Sequence, residues 1–123
     1  MLSIELEKNG DVAVVRCNGR IVRGEEVSRL RNAVVSQKDS RIVVLDLSDV
    51  ESLDAGGLTT LLSLHQWARG WGVQLKLVNP THFVREVLTR TGLDQVFDIS
   101  TFDHALYVLS GSNCHQTRYA VAY

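Results

Sequence analysis

Residues 42–47 read Ile-Val-Val-Leu-Asp-Leu, a run of β-branched and leucine side chains that contains a single acid. Strands with one wet face alternate apolar and polar residues, whereas a continuous run belongs to a strand at the sheet centre or covered on both sides. A chain with such a strand must place other strands beside it and apolar helix faces against it. The upstream sequence supplies both. Over 2–8 apolar and charged residues alternate, Asn9-Gly10 has the composition of a hairpin turn, and 12–17 resumes an apolar run, so two antiparallel strands open the chain. After Gly19 the period lengthens. Val27, Leu30 and Val34 recur at helical spacing behind Glu25 and Glu26, whose charges suit a first turn, and predict a helix over 24–37.

Downstream, Leu58, Leu61, Leu62, His65 and Ala68 fall on one stripe at helical spacing. Asp54 is placed to cap that helix, and Gly70 and Gly72 to stop it. Val73, Leu75 and Leu77 alternate with Gln74 and Lys76, as in a strand with one wet face. Asn79-Pro80 reads as a cap and first helical residue; Phe83, Val84, Val87, Leu88 and Thr91 form the apolar stripe of the next helix, and Gly92 ends it. A short strand over 96–99 and a last helix through Phe102, Ala105, Leu106 and Leu109 complete a domain over 1–110. In the tail, 111–123, the pattern stops, and 119–123 reads either as an extra strand or as a frayed end. Two strands followed by alternating helices and strands imply an α/β fold: a mixed sheet with about four helices packed mainly on one face.

With 123 residues, 45% hydrophobic and 22% charged, the chain has the length and composition of one domain with one core. Thirteen Lys and Arg against fourteen Asp and Glu leave a formal charge of -1, which argues against nucleic acid or an anionic membrane as partner. No apolar run is long enough to span a bilayer and the N-terminus lacks a signal-peptide pattern, so a cytoplasmic protein is expected. Cys17 and Cys114 then read as two thiols. His65, His82, His104 and His115 lie in separate segments with no ligand spacing between them, which predicts no metal site. No serine sits in a glycine-flanked elbow or beside a histidine, and Gly56-Gly57 lacks the lysine of a phosphate-cradling loop. Neither an enzyme nor a cofactor is expected. Thr60, Leu64, Trp67 and Trp71 cluster off the stripe of their helix, and predict either an exposed contact patch or a surface covered by the C-terminal segment.

Val44-Leu45-Asp46-Leu47-Ser48-Asp49-Val50, followed by Leu53-Asp54-Ala55-Gly56-Gly57-Leu58, resembles the signature of STAS domains, anti-sigma-factor antagonists in particular. Gly19-Arg20-Ile21 resembles the family's strand-to-helix turn, residues 72–78 its fourth strand, and Val84-Arg85-Glu86-Val87-Leu88 with Thr91-Gly92-Leu93 its third helix and stop. The resemblance implies a binding role whose partner is a kinase-type anti-sigma factor. In such antagonists the residue after the loop aspartate is a serine or threonine that the partner phosphorylates; here it is Ala55, which has no hydroxyl. Ser52, Thr59 and Thr60 are the nearest hydroxyls, and neither Ser52 nor Thr59 is expected to reproduce the geometry. The implied contact surface is Asp46, Ser48, Asp54, Ala55, Gly56 and Gly57, with Gly56→Glu expected to abolish binding while sparing the fold. Other STAS roles stay open: a subunit of a lipid transporter, a scaffold of a stress-signalling assembly, or a homodimer using Trp67. The glycines also admit a packing explanation, letting the helix start lie close against the third strand.

Overall fold

The structure is a computed structural model that describes residues 2–100. Its elements are β1 (Leu2–Asn9), β2 (Val12–Ile21), α1 (Glu25–Val35), β3 (Ile42–Leu53), α2 (Ala55–Trp71), β4 (Gln74–Val78), α3 (His82–Arg90), a 3-10 turn (Leu93–Gln95) and β5 (Asp98–Ser100). The five strands form one sheet in the order β1-β2-β3-β4-β5, with β1 antiparallel to β2 and all other pairs parallel. Among the described residues there are three α-helices; the fourth, expected through Phe102 to Leu109, lies outside them, as does the tail.

The run at 42–47 is central, with β2 on one side and β4 on the other. Its odd residues Val43, Leu45 and Leu47 point into the main core with Ala13, Val15 and Cys17 of β2 and Leu75 and Leu77 of β4. Leu30 and Val34 of α1, Leu61, Leu64 and Ala68 of α2, and Val84 and Leu88 of α3 fill the same core, so all three helices share one face of the sheet. The even residues Ile42 and Val44 face the other way, in a smaller buried cluster with Val12, Val14 and Val78.

β3 is twelve residues long, but β4 pairs only with its first part, from Ile42 to Asp46. Alongside β2 it gains two residues: β2 advances five positions from Arg16 to Ile21 while β3 advances seven from Asp46 to Leu53, with register shifts after Arg16 and Gly19. Each shift reverses the alternation of faces, as a β-bulge does. Leu47, Val50 and Leu53, three apart, therefore all turn toward the helices.

Local signals explain most boundaries; the start of α3 and the buried stripes of α3 and α2 differ from expectation. Gly10 at φ 62 makes the β1–β2 turn and Gly72 at φ 70 ends α2. α3 starts later than the Asn79-Pro80 pair suggests. Asn79 sits at φ 51, and Thr81 caps the helix, its Oγ1 accepting from the Val84 N–H at 3.4 Å and donating to the Val50 carbonyl at 2.8 Å. Phe83, expected on the buried stripe, is 47% exposed, because α3 turns Val84 and Leu88 to the core. On α2 the buried stripe is Gly57, Leu61, Leu64 and Ala68.

Candidate functional site

The overhanging end of β3 delivers the chain to Asp54, the N-cap of α2. Its carboxylate accepts from the Gly57 N–H at 2.8 Å, closing the first turn of the helix, and from the Arg23 N–H at 3.1 Å, across 31 residues in the β2–α1 turn. The Asp54 N–H in turn donates to the Ile21 carbonyl. One side chain thus ties two loops at the same end of the sheet. The donors at Gly57 and then Arg23 favour the ionised form and hold the carboxyl below its ordinary 3.8.

Backbone contact at this corner explains the glycines. A Cβ on Gly57 would lie 2.0 Å from the Ile21 carbonyl oxygen and 2.8 Å from Leu53 Cδ1. On Gly56 it would meet Arg23 Cβ at 2.9 Å and Arg23 Cα at 3.2 Å. The close approach is to the end of β2 and the turn after it, in addition to the third strand. Gly57 is buried and belongs to packing rather than to a contact surface, and Gly56→Glu would disturb the fold as well as the surface. Ala55 is exposed at the first helical position, and Asp54 beside it is exposed too. Arg23 belongs to this corner although no motif marked it; two glycines in a first turn were the available signal, since they cost helix stability unless another backbone lies against them.

The neighbouring hydroxyls are occupied by local bonds. Thr59 is exposed and donates to the Ala55 carbonyl at 2.8 Å, and Thr60, half-buried, donates to the Gly56 carbonyl at 2.9 Å. Ser52 is half-buried and precedes the cap.

Asp46 and Ser48 do not join this corner. Asp46, 6% exposed, accepts at Oδ1 from the Ser48 N–H (3.0 Å) and hydroxyl (2.7 Å), and its Oδ2 lies 3.6 Å from Arg16 Nε. Together with Asp49 and Asn79 these residues line an open polar cleft of about 320 Å³. Measured along β2, the five-residue advance from Arg16 to Ile21 places Asp46 about 17 Å from the corner, and the three-residue advance from Asn18 places Asp49 about 10 Å from it.

The expected patch on α2 also changes. Leu64 is fully buried and contributes to the core, not to an interface. Trp67 is half-buried and packs against the core, so it does not show most of its ring. Trp71 is the exposed aromatic, at 58%, with Lys38 Nζ 5.4 Å from its ring centroid. Sixteen residues of helix place it about 24 Å from Ala55.

Chemistry elsewhere is sparse. His65 stacks edge-on against Phe97, with centroids 5.6 Å apart, so it packs. Burial, with the Asp46 charge adding, pushes the Cys17 thiol up to about 12 and keeps it protonated. Among the described residues no three His, Cys, Asp or Glu gather as a metal site, and no helix is long and apolar enough to cross a membrane.

A mixed sheet with helices on one face, and an Asp-capped, glycine-packed corner at the end of its central strand, define a small α/β domain. The STAS domain model matches residues 3–105, and the chain belongs to that family. Among solved structures, it is similar to an anti-sigma factor antagonist of Mycobacterium paratuberculosis (27% identity, 88% of this chain and 93% of that one, TM-score 0.72). It is similar as well to a candidate anti-sigma factor antagonist of Thermotoga maritima (26%, 85% and 92%, TM-score 0.76). The Bacillus antagonist SpoIIAA in its unphosphorylated form shares the fold at 18% identity, over 89% and 97% of the two chains, with TM-score 0.74.

Proposed function

We propose that this chain is a cytoplasmic, non-enzymatic protein-binding domain that presents the Asp54–Ala55 corner to a kinase-type anti-sigma factor, and that this corner is not switched by phosphorylation. The observation that carries the reading is the exposed methyl of Ala55 at the start of α2, on a corner held rigid by Asp54 and by the contact of Gly57 with Ile21. A rigid, pre-formed surface loses little entropy when a partner docks. A phosphate here would add up to about two negative charges next to the Asp54 carboxylate and repel a partner shaped for a neutral methyl. Ala55 cannot accept one, and Thr59 and Thr60 hold their hydroxyls back along the helix.

The test is a binding assay with the kinase-type anti-sigma factor of the same cell and ATP, followed by intact-mass measurement. Wild type is expected to bind and gain no mass, while Ala55→Ser gains one phosphate and is released. Ala55→Glu places the charge directly and, unlike Gly56→Glu, does so at an exposed position; it is expected to weaken binding by at least about tenfold. Recovery of a transporter or scaffold component, with no anti-sigma factor bound, would overturn the sigma-factor role and leave the STAS fold standing.

A further inference from the structure

Between the C-terminal half of α2 and the edge of the sheet lies a cavity of about 330 Å³. Its floor is apolar, made by Ala68 of α2 and by Val73 and Leu75 at the start of β4. Val96 forms the far wall, and His65 and Arg69 stand on the helix side. A notch in the sheet edge makes the room. β5 pairs with β4 only from Lys76 onward, so Gln74 and Leu75 run beside no strand on that side. Where two further strand residues would lie, Val96 ends the 3-10 turn and Phe97 turns into the core, its ring edge-on to His65.

Size and charge select what this cavity can hold. Its volume is at the low end of the range for small-molecule sites, about 300–1,000 Å³. Asp98, also in the lining, is neutralised by Lys76 at 2.6 Å, which leaves Arg69 as the uncompensated charge. Arg69 is not engaged elsewhere: among the described residues its guanidinium joins no ion pair. Nor does the end of α2 need it as a cap. The Ala68 and Arg69 carbonyls already accept from the N–H groups of Val73 and Gly72. A free guanidinium pairs in a two-pronged way with a carboxylate. Phosphate or sulfate, hydrated on every side, would leave the apolar floor unused.

We infer that this cavity binds a small monocarboxylate with a short apolar chain, its carboxylate on Arg69 and its chain over Val73, Leu75 and Val96. Fourteen residues of helix, about 21 Å, separate Arg69 from Ala55, so the site stands apart from the corner proposed for the protein partner and does not rest on that reading.

Titration of the full chain with isocaproate, followed in amide and methyl NMR spectra, tests the site. Saturable shifts are expected at Ala68, Arg69, Val73, Leu75 and Val96, with a dissociation constant of about 1 mM. Isocaproamide keeps the shape without the charge, and acetate keeps the charge without the chain; each is expected to bind at least about tenfold more weakly. Arg69→Gln should weaken isocaproate by the same factor and, because Arg69 is exposed, leave the spectrum outside the cavity unchanged. No saturable shift at these residues up to about 20 mM, twenty times the expected constant, overturns the site. Equal affinity for the amide, or for isocaproate in Arg69→Gln, overturns the carboxylate assignment, and equal affinity for acetate overturns the apolar chain.

Discussion

The two ends of α2 use glycine for opposite reasons. At the N-terminal end, Gly56 and Gly57 are there because another backbone occupies the space a side chain would need. At the C-terminal end, a Cβ on Gly70 or Gly72 would meet nothing within 4 Å among the described residues; Gly72 serves the left-handed turn that ends the helix. The same contrast runs through the exposed residues. The first end shows a methyl on a corner whose position is fixed by Asp54 and Ile21, whereas the second shows the large ring of Trp71 under a lysine. Exposed apolar area alone would select the Trp71 end as the docking surface. Under the proposed function the docking surface is instead the Ala55 end, where one carboxylate bonds two loops.

The strongest way to break this contrast is Gly57→Ala. Forcing a methyl to within 2.0 Å of the Ile21 carbonyl must separate α2 from β2, and is expected to cost at least about 3 kcal/mol in urea unfolding. A loss under about 1 kcal/mol would mean that the corner yields, and that its rigidity is not what the glycines provide. Next comes Leu64→Ala, expected to cost about 3 kcal/mol as a fully buried leucine, against a smaller loss for half-buried Trp67→Ala. The reverse ranking would return Leu64 to the surface.

Acid unfolding sharpens the comparison electrostatically. The folded Asp54 carboxyl titrates below its ordinary 3.8, so its stabilisation is complete above that value and is lost as pH falls through the lowered folded one. Asp54→Asn should therefore flatten the decline in stability below about pH 4; parallel acid limbs for variant and wild type would show that the ionised cap does not bear on the fold. The smallest effects belong at the far end of the helix. Gly70→Ala should stabilise by about 0.5–1 kcal/mol through helix propensity. Trp71→Ala should stay within about 0.5 kcal/mol of wild type.

The legible parts of the molecule were those governed by neighbours in sequence. Alternation in β1, the apolar run of β3, the Asp54 cap and the stops at Gly72 and Gly92 depend on side chains a few residues apart, and the family signature lies in the same segments. The stripe of α2 was harder to read because leucines stand at 58, 61, 62 and 64, all around the helix. A period of 3.6 residues admits a stripe through Leu62 and His65 as readily as one through Gly57 and Leu64. Leu61 and Ala68 belong to both; the sheet below chose the second.

What the sequence by itself determined is the order of elements and the central position of residues 42–47. Only the tertiary structure decided that Gly57 packs against Ile21, that Arg23 shares the Asp54 carboxylate, and that Asp46 stands about 17 Å from the corner. The physical reason is common to all three. Each depends on how far β3 travels relative to β2, and its two extra residues are visible only once the strands are paired, because a bulge is a relation between two strands and not a property of either sequence.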